Sequence, residues 1–484
     1  MAAVAPGKPR VSTLSFVNHT WQRTATVLTA HAVAMGREGL IGPDVVDRIT
    51  AGIERVREQP VEYDDLISLI RGFEERLEAQ ITPEVAAAAR VARSLVDVSA
   101  TVARLATIGR LLELDAVASR AEAAALKLAE SNFVTLMPVT MDGFVSQPTS
   151  FSHWIGGLIE QIGRARGNLE RAIETVDASP MGSSALASSG FAVNRTDVAV
   201  ALGFNRIVEN TFDAVASMDW ISAAASVIDT VLSPLRRFGE EIFTWCRTEP
   251  GAFRIGDWLV ESVPGIPQWS GPFGLVRLNQ DLEHVAFQAH ILAHEAACVS
   301  YAPQLASLGR IAYGLDAIAA EAIGLGAEVA HFLEDGLGVN ASYFSNRAGR
   351  GFSTSSDLAD FLMIEEQLPP SDSEQIAALT ISRARDQGLE AAGITVDLID
   401  GAALMVIGRE LKVEFEAISR YLAPRRFIER RTAVGAPSPE STRMFVVHRR
   451  QDHNEQDARI EQVRIRFDAA TNSLQTIARE AAAH

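Results

Sequence analysis

Residues 84–130 read EVAAAARVARSLVDVSATVARLATIGRLLELDAVASRAEAAALKLAE, with no proline and a single glycine. Alanine and leucine fill most positions that are not charged, and both are strong helix formers, so the stretch predicts one very long helix. Small apolar residues lie on every side of it. Such a helix must be covered all round, which requires a bundle of several long helices, completed by further copies of the chain. Two more stretches have the same texture. One runs from 211 to 247, with a kink expected at Pro234, and the other from 274 to 338, with an interruption expected near Pro303. Strand alternation bounded by turn signals is almost absent, so the fold class is all-α.

Outward from these helices the chain divides into three expected parts. An N-terminal helical domain spans 1–92, the long-helix bundle spans 93–343, and a domain of shorter helices spans 344–484. In the last part, LPPSDSEQ (368–375) marks a helix start at Pro370 and Ser371, and a polar amphipathic helix over about 455–482 closes the chain. Three segments rich in Gly, Pro and Ser, 136–150, 179–194 and 261–273, read as loops on a rigid frame, where a site is expected. The segment ESVPGIPQWSGP (261–272) reads as an irregular lid, yet beyond Glu261 it holds no charged group.

The net charge of −17 repels nucleic acid and anionic lipid, and neither is expected as a partner. The N-terminal segment lacks the apolar run of a secretory signal, and no stretch has the ~20 apolar residues of a membrane span, so a cytoplasmic protein is expected. Cys246 and Cys298 both fall in apolar helical stretches and are expected to be buried thiols. His290, His294 and Cys298 recur at i, i+4 and i+8, with Glu283 and His284 two turns earlier. Histidines at that spacing either chelate zinc or pack between helices. No carboxylate completes an open metal site, so no metal and no cofactor are expected.

The segments GSSALASSGFAVNRTDVAVALGF (182–204), ENTFDAVASMD (209–219), GFSTSSDLADFL (351–362) and MPVTMDGFVSQPTSFSHW (137–154) resemble, in order, those of the argininosuccinate lyase family. The similarity runs from TAHAVAM (29–35) to RRTAVGAPSPEST (430–442). The resemblance implies the aspartase/fumarase superfamily: a homotetramer with a large central helix bundle, each site built from loops of three subunits. Family members remove an amine or hydroxyl β to a carboxylate and release fumarate. That chemistry needs a base, cationic or hydrogen-bonding groups for the aci-carboxylate, and an acid for the leaving group.

Here the family's motifs are substituted. Arg93, Ser94 and Asp97 match, but Leu95 and Val96 replace the family's arginine and asparagine; Arg93 is either a substrate ligand or a helix charge paired with Asp97. Met141 and Asp142 stand where the family has threonine and histidine, while Gln147, Pro148, Phe151 and His153 match. Val276 takes the place of the histidine's glutamate partner. In the lid, Val263 replaces the family serine, with Ser262 one residue away, and Trp269 and Gly271 replace the lysine and asparagine.

The remaining candidates for chemistry are Asp142, Ser94 and Ser262. Asp142 is either an acid–base group or a turn residue before Gly143. Candidates for contact with a small-molecule substrate are Arg93, Thr140, Met141, Phe144, Gln147, Asn210, Trp269 and Ser270. The function expected is that of an argininosuccinate-lyase-like enzyme with a more apolar cleft, acting as a lyase, cyclase or isomerase in specialised biosynthesis. The alternatives are an inactive relative that binds or regulates a partner, and an ordinary argininosuccinate lyase.

Overall fold

The computed structural model describes residues 13–59, 65–302 and 304–483. Helices α1 (Thr13–Arg37), α2 (Pro43–Arg57), α3 (Leu66–Gln80) and α4 (Pro83–Ala89) precede α5 (Leu95–Glu130). The long helix expected over 84–130 is therefore two. The chain breaks between Ala89 and Ser94, with Ala92 in the left-handed region at φ 61°. Ser94 causes the break: its Oγ accepts from the Val96 N–H, and the Asp97 carboxylate accepts from the Ser94 N–H at 2.9 Å. This capping box starts a new helix inside an alanine-rich run whose propensity would carry one through.

Strands β1 (Leu136–Met141) and β2 (Phe144–Ser150) follow, and lead into α6 (Phe151–Val176). After α7 (Arg195–Ala201), the helix expected over 211–247 is two, α8 (Thr211–Ala216) and α9 (Asp219–Thr248), broken at Ser217 and Met218, and α9 carries Pro234 within it. Strands β3 (Phe253–Ile255), β4 (Glu261–Val263) and β5 (Ile266–Gly271) then lead to α10 (Phe273–Ala297) and α11 (Leu305–His331). The break expected at Pro303 lies between these two helices, and Pro303 itself is outside the described residues. Helices α5, α6, α9, α10 and α11 pack on one another as the long-helix bundle, with α1 and α3 against α5. The fold is all-α, with three two-stranded sheets as accessories.

Strand β6 (Leu337–Val339) pairs with β3 and passes to α12 (Ala341–Arg347). A second, smaller core over residues 352–422 is built by α13 (Ser356–Ile364), α14 (Pro370–Asp386), α15 (Val396–Ile407) and α16 (Phe415–Tyr421). Helix α17 (Pro424–Glu429) connects it to α18 (Pro439–Ala483). The closing helix is longer than the expected 455–482. It lies on α2, α5 and α6, and gives Val446, Ile460, Phe467 and Leu474 to the large core.

A buried ionic cluster fastens α18 to the bundle. Arg166 of α6, with no exposed side-chain surface, donates to both Asp115 oxygens at 3.0 and 2.9 Å, to Glu122 at 3.1 Å and to Asp457 at 2.6 Å. Glu122 also accepts from Arg449 at 2.9 Å and lies 3.1 Å from His453 Nδ1. Among the described residues no helix is long and apolar enough to cross a membrane. The cysteines correct one expectation. Cys246 is half-buried, and burial pushes its thiol up to about 11, but Cys298 is exposed because α10 ends just before it.

Candidate functional site

The first site segment is the α4–α5 break. Asp97 is fully buried, and besides the Ser94 N–H it accepts the Gly182 and Ser184 N–H groups at 3.1 and 2.9 Å. Burial pushes its carboxyl up, while those N–H donors and Arg93 act in the opposite direction. Asp97 thus ties the start of α5 to the 182–194 loop. That loop is held from its far side by Arg195, which donates to the Met181, Val208 and Glu209 carbonyls. Arg93 does not pair with Asp97. Its side chain is buried, bonds the Ala89 carbonyl at 2.8 Å and pairs with Glu74 of α3. Asn210 caps α8, its Oδ1 accepting from the Phe212 and Asp213 N–H groups at 2.9 and 3.1 Å.

His31 of α1 braces the same break by donating from Nε2 to the Val91 carbonyl at 2.8 Å. Burial, with a smaller contribution from Arg93, pushes its imidazole down to about 4. A folded-state value below the ordinary ~6.5 means that the unfolded chain takes up a proton the folded one resists. Stability is complete above about pH 6.5 and falls by about 3 kcal/mol as pH drops to about 4. Urea unfolding across that range should show this loss, and His31→Gln, which does not titrate, should flatten it.

The second segment is the β1–β2 hairpin, where the sequence had suggested a loop. Val139-Thr140-Met141 and Phe144-Val145 flank Asp142-Gly143, with Met141 directly opposite Phe144. Asp142 has φ 51° and Gly143 φ 80°. Two left-handed residues in a two-residue connection make the turn that suits the twist of paired strands, and Asp-Gly is a favoured pair there. The turn reading of Asp142 is therefore the geometry observed, while its carboxylate stays exposed without a hydrogen bond. Met141 and Phe144 share one face of the tip and are 68% and 78% exposed. Thr140 is exposed as well. Gln147 donates to Ser356 Oγ at 3.1 Å, and Val145 lies against Gly351, so the hairpin leans on the 351–356 segment. Asp357 anchors that segment through Arg430 and Arg431, the latter at 2.7 Å.

The third segment, the lid, is also a hairpin rather than an irregular loop. Glu261 pairs with Gly271 and Ser262 with Ser270, and Val263 meets Ile266 across Pro264-Gly265. An ion pair from Glu261 to Arg277 fixes its base to α10. Ser262 and Ser270, directly opposite each other, share one face, and the register shifts between Ser262 and Val263, so Trp269 lies in a bulge of the second strand. Trp269 is 53% exposed, with its ring edge-on to Phe273 at 6.3 Å.

Within one protomer the structure joins Arg93, Ser94 and Asn210 to one corner through Asp97 and Arg195. Thr140, Met141, Phe144, Gln147 and Asp142 belong to a second. Ser262, Trp269 and Ser270 make a third. Among the described residues no hydrogen bond, ion pair or ring contact connects the three. His294 Nε2 lies 3.6 Å from Cys298 Sγ, and both are exposed. His290 does not join them in a three-ligand cluster; the one such group among the described residues is His331, Glu334 and Asp335, where Glu334 is already paired with Arg120.

One feature was not foreseen from sequence. Phe212 stacks on Tyr301 at 5.2 Å, bordering a cavity of about 440 Å³ lined by Asp213, Met218, Asp219 and Ser222. Beneath it Arg104, lowered to about 10 by burial, donates to Ser217 and the Val176 carbonyl. Phe212 and Tyr301 lie far apart in sequence, so no local pattern announces the stack.

The long packed helices with a small C-terminal helical unit are the fold seen in the aspartase/fumarase superfamily. A family model described as "Lyase" matches residues 17–261. The chain belongs to that lyase family. It is 26% identical over 456 residues to the argininosuccinate lyase of Methanosarcina acetivorans, covering 92% of this chain and 90% of the relative. Argininosuccinate lyase 2 of Agrobacterium fabrum is also 26% identical, over 88% of this chain and 85% of the relative. Among solved structures, EDDS lyase in complex with formate superposes with a TM-score of 0.85 at 22% identity, covering 96% of this chain and 92% of the other. A class II fumarase from Schistosoma mansoni gives 0.66 at 12% identity, over 84% and 90%. At these identities the structural likeness speaks for the fold alone.

Proposed function

We propose that this chain is an argininosuccinate-lyase-like enzyme whose cleft is remodelled for a more apolar, less anionic substrate. It acts without a cofactor as a lyase, cyclase or isomerase in cytoplasmic specialised biosynthesis. The observation that carries the proposal is the exposure of three large apolar side chains on two hairpins: Met141 and Phe144 flank the turn of the first, and Trp269 stands on the second strand of the lid, and each is more than half exposed. Burying such a side chain is worth about 1.5–3 kcal/mol, so the hairpins are built to meet something. In a homotetramer with sites shared between subunits, that is one cleft with apolar walls. The Phe212–Tyr301 stack and the carboxylates of Asp213 and Asp219 suit an uncharged or amine-bearing portion of the substrate. Asp142 and Ser262, whose side chains make no hydrogen bond among the described residues, are the groups free to move a proton.

The reading as an inactive, partner-binding relative has its own support. Ser94 and Asn210 serve as helix caps and Asp142 sits in a turn, so three of the polar candidates have a structural use.

Light scattering should report a tetramer, since a stable monomer would leave the hairpin tips bare. A small-molecule extract incubated with wild type, Asp142→Asn and Trp269→Ala, and read by mass spectrometry, separates the two readings. Asparagine suits the same turn, so Asp142→Asn should bind but convert at least about 100-fold more slowly. Trp269→Ala should keep its melting temperature and lose binding. Early melting with normal binding would make Trp269 a packing residue and overturn the remodelled cleft.

A further inference from the structure

A second cavity, of about 320 Å³, lies between α1, α5, α11 and α18, away from all three corners. Its volume is at the small end of ligand sites, about the size of an amino acid with its hydration. Three guanidinium groups and three carboxylates line it: Arg23, Arg110 and Arg464 against Glu113, Asp316 and Asp468. Their pairing is uneven. Arg110 binds Asp316 through two bonds of 2.8 and 3.1 Å and Glu113 at 2.9 Å, so one cation uses two of the anions. Arg464 is turned to the Leu112 carbonyl at 3.1 Å and to Glu461 at 3.5 Å.

Arg23 and Asp468 are left over. Arg23 is half-buried and among the described residues makes no hydrogen bond or ion pair, although Glu113, Asp316 and Asp468 are near enough to act on its charge. Burial lowers its basicity. Its guanidinium lies over Gly109, where a Cβ would stand 2.5 Å from Nη2, so the bare backbone of α5 makes room for it. Asp468 is exposed at the cavity and likewise makes no hydrogen bond or ion pair among the described residues. A guanidinium that lines a cavity with its donors unused is open to a carboxylate, which it can bind through two parallel N–H bonds.

We propose that this cavity binds a neutral, zwitterionic α-amino acid, with its carboxylate on Arg23 and its ammonium on Asp468. The lining is charge-balanced when His19 is neutral, and burial with Arg110 and Arg23 holds the His19 imidazole low. A balanced site favours a zwitterion over a phosphate or a simple cation. Gln22, Thr26, Thr471 and Gln475 supply hydrogen bonds to an uncharged polar side chain.

Calorimetric titration of the full chain with L-glutamine tests this. Saturable binding with Kd below about 1 mM is expected, with N-acetylglutamine and glutamine amide, which each lack one charge, at least about tenfold weaker. Arg23→Met should weaken glutamine at least about tenfold. Asp468→Asn, at an exposed position that leaves folding intact, should bind glutamine and N-acetylglutamine alike. No saturation by L-glutamine up to about 10 mM, or an Asp468→Asn protein that still prefers glutamine over its N-acetyl form, would overturn the assignment.

Discussion

Purified protein given argininosuccinate is expected to release no fumarate. The family's reaction uses a lid serine, a histidine with its glutamate partner, and the lysine and asparagine that hold the carboxylate. At the matching positions this chain has Val263, Asp142, Val276, Trp269 and Gly271. The lid is an ordered hairpin, so the apolar substitutions sit on a formed element. Ser262 lies one residue away, but with Trp269 in place of the lysine a small shift of Ser262 does not restore the lost constellation. Each missing preorganised donor lowers the rate about 100-fold or more. From a usual turnover of about 10 per second, the loss of two leaves about 0.001 per second. Ultraviolet absorbance of fumarate is the readout. Turnover of about 1 per second or faster would show that the lid positions are matched wrongly.

The other large effect concerns stability. Arg166→Met should destabilise the protein by about 3–5 kcal/mol, because it removes the one cation bonded to Asp115 and leaves that carboxylate buried alone. Burial pushes the Asp115 carboxyl up even with Arg166 beside it. Glu122 keeps Arg449 and His453, so its part of the loss is smaller. Removing the orphaned charge as well, in Arg166→Met/Asp115→Asn, should recover part of the stability. Urea denaturation of the three proteins measures both steps. A single variant within about 1 kcal/mol of wild type would mean that water reaches the cluster.

The helices were legible wherever composition is uniform: the alanine- and leucine-rich runs became α5, α9, α10 and α11. The errors came from short-range hydrogen bonding. Ser94 and Asp97 divide the first run because a capping box outweighs the propensity of the residues around it. The two hairpins were hidden by their prolines, although Asp142-Gly143 between β-branched and aromatic residues is a hairpin signal in its own right. The site was legible as segments but not as geometry. Asp97, the residue that joins α5 to the 182–194 loop, acts through backbone N–H groups about 85 residues away, which no spacing rule anticipates. The pairing of Ser262 with Ser270 in the lid required strand register.

In the proposed enzyme the apolar side chains of the two hairpins, from different subunits, meet around one enclosed cleft. Electron cryomicroscopy of the purified assembly tests it most directly. The account predicts a tetramer in which Trp269 of one subunit faces Met141 and Phe144 of another across a closed pocket, with Asp142 at its edge. A map in which these side chains stand apart in solvent would contradict it.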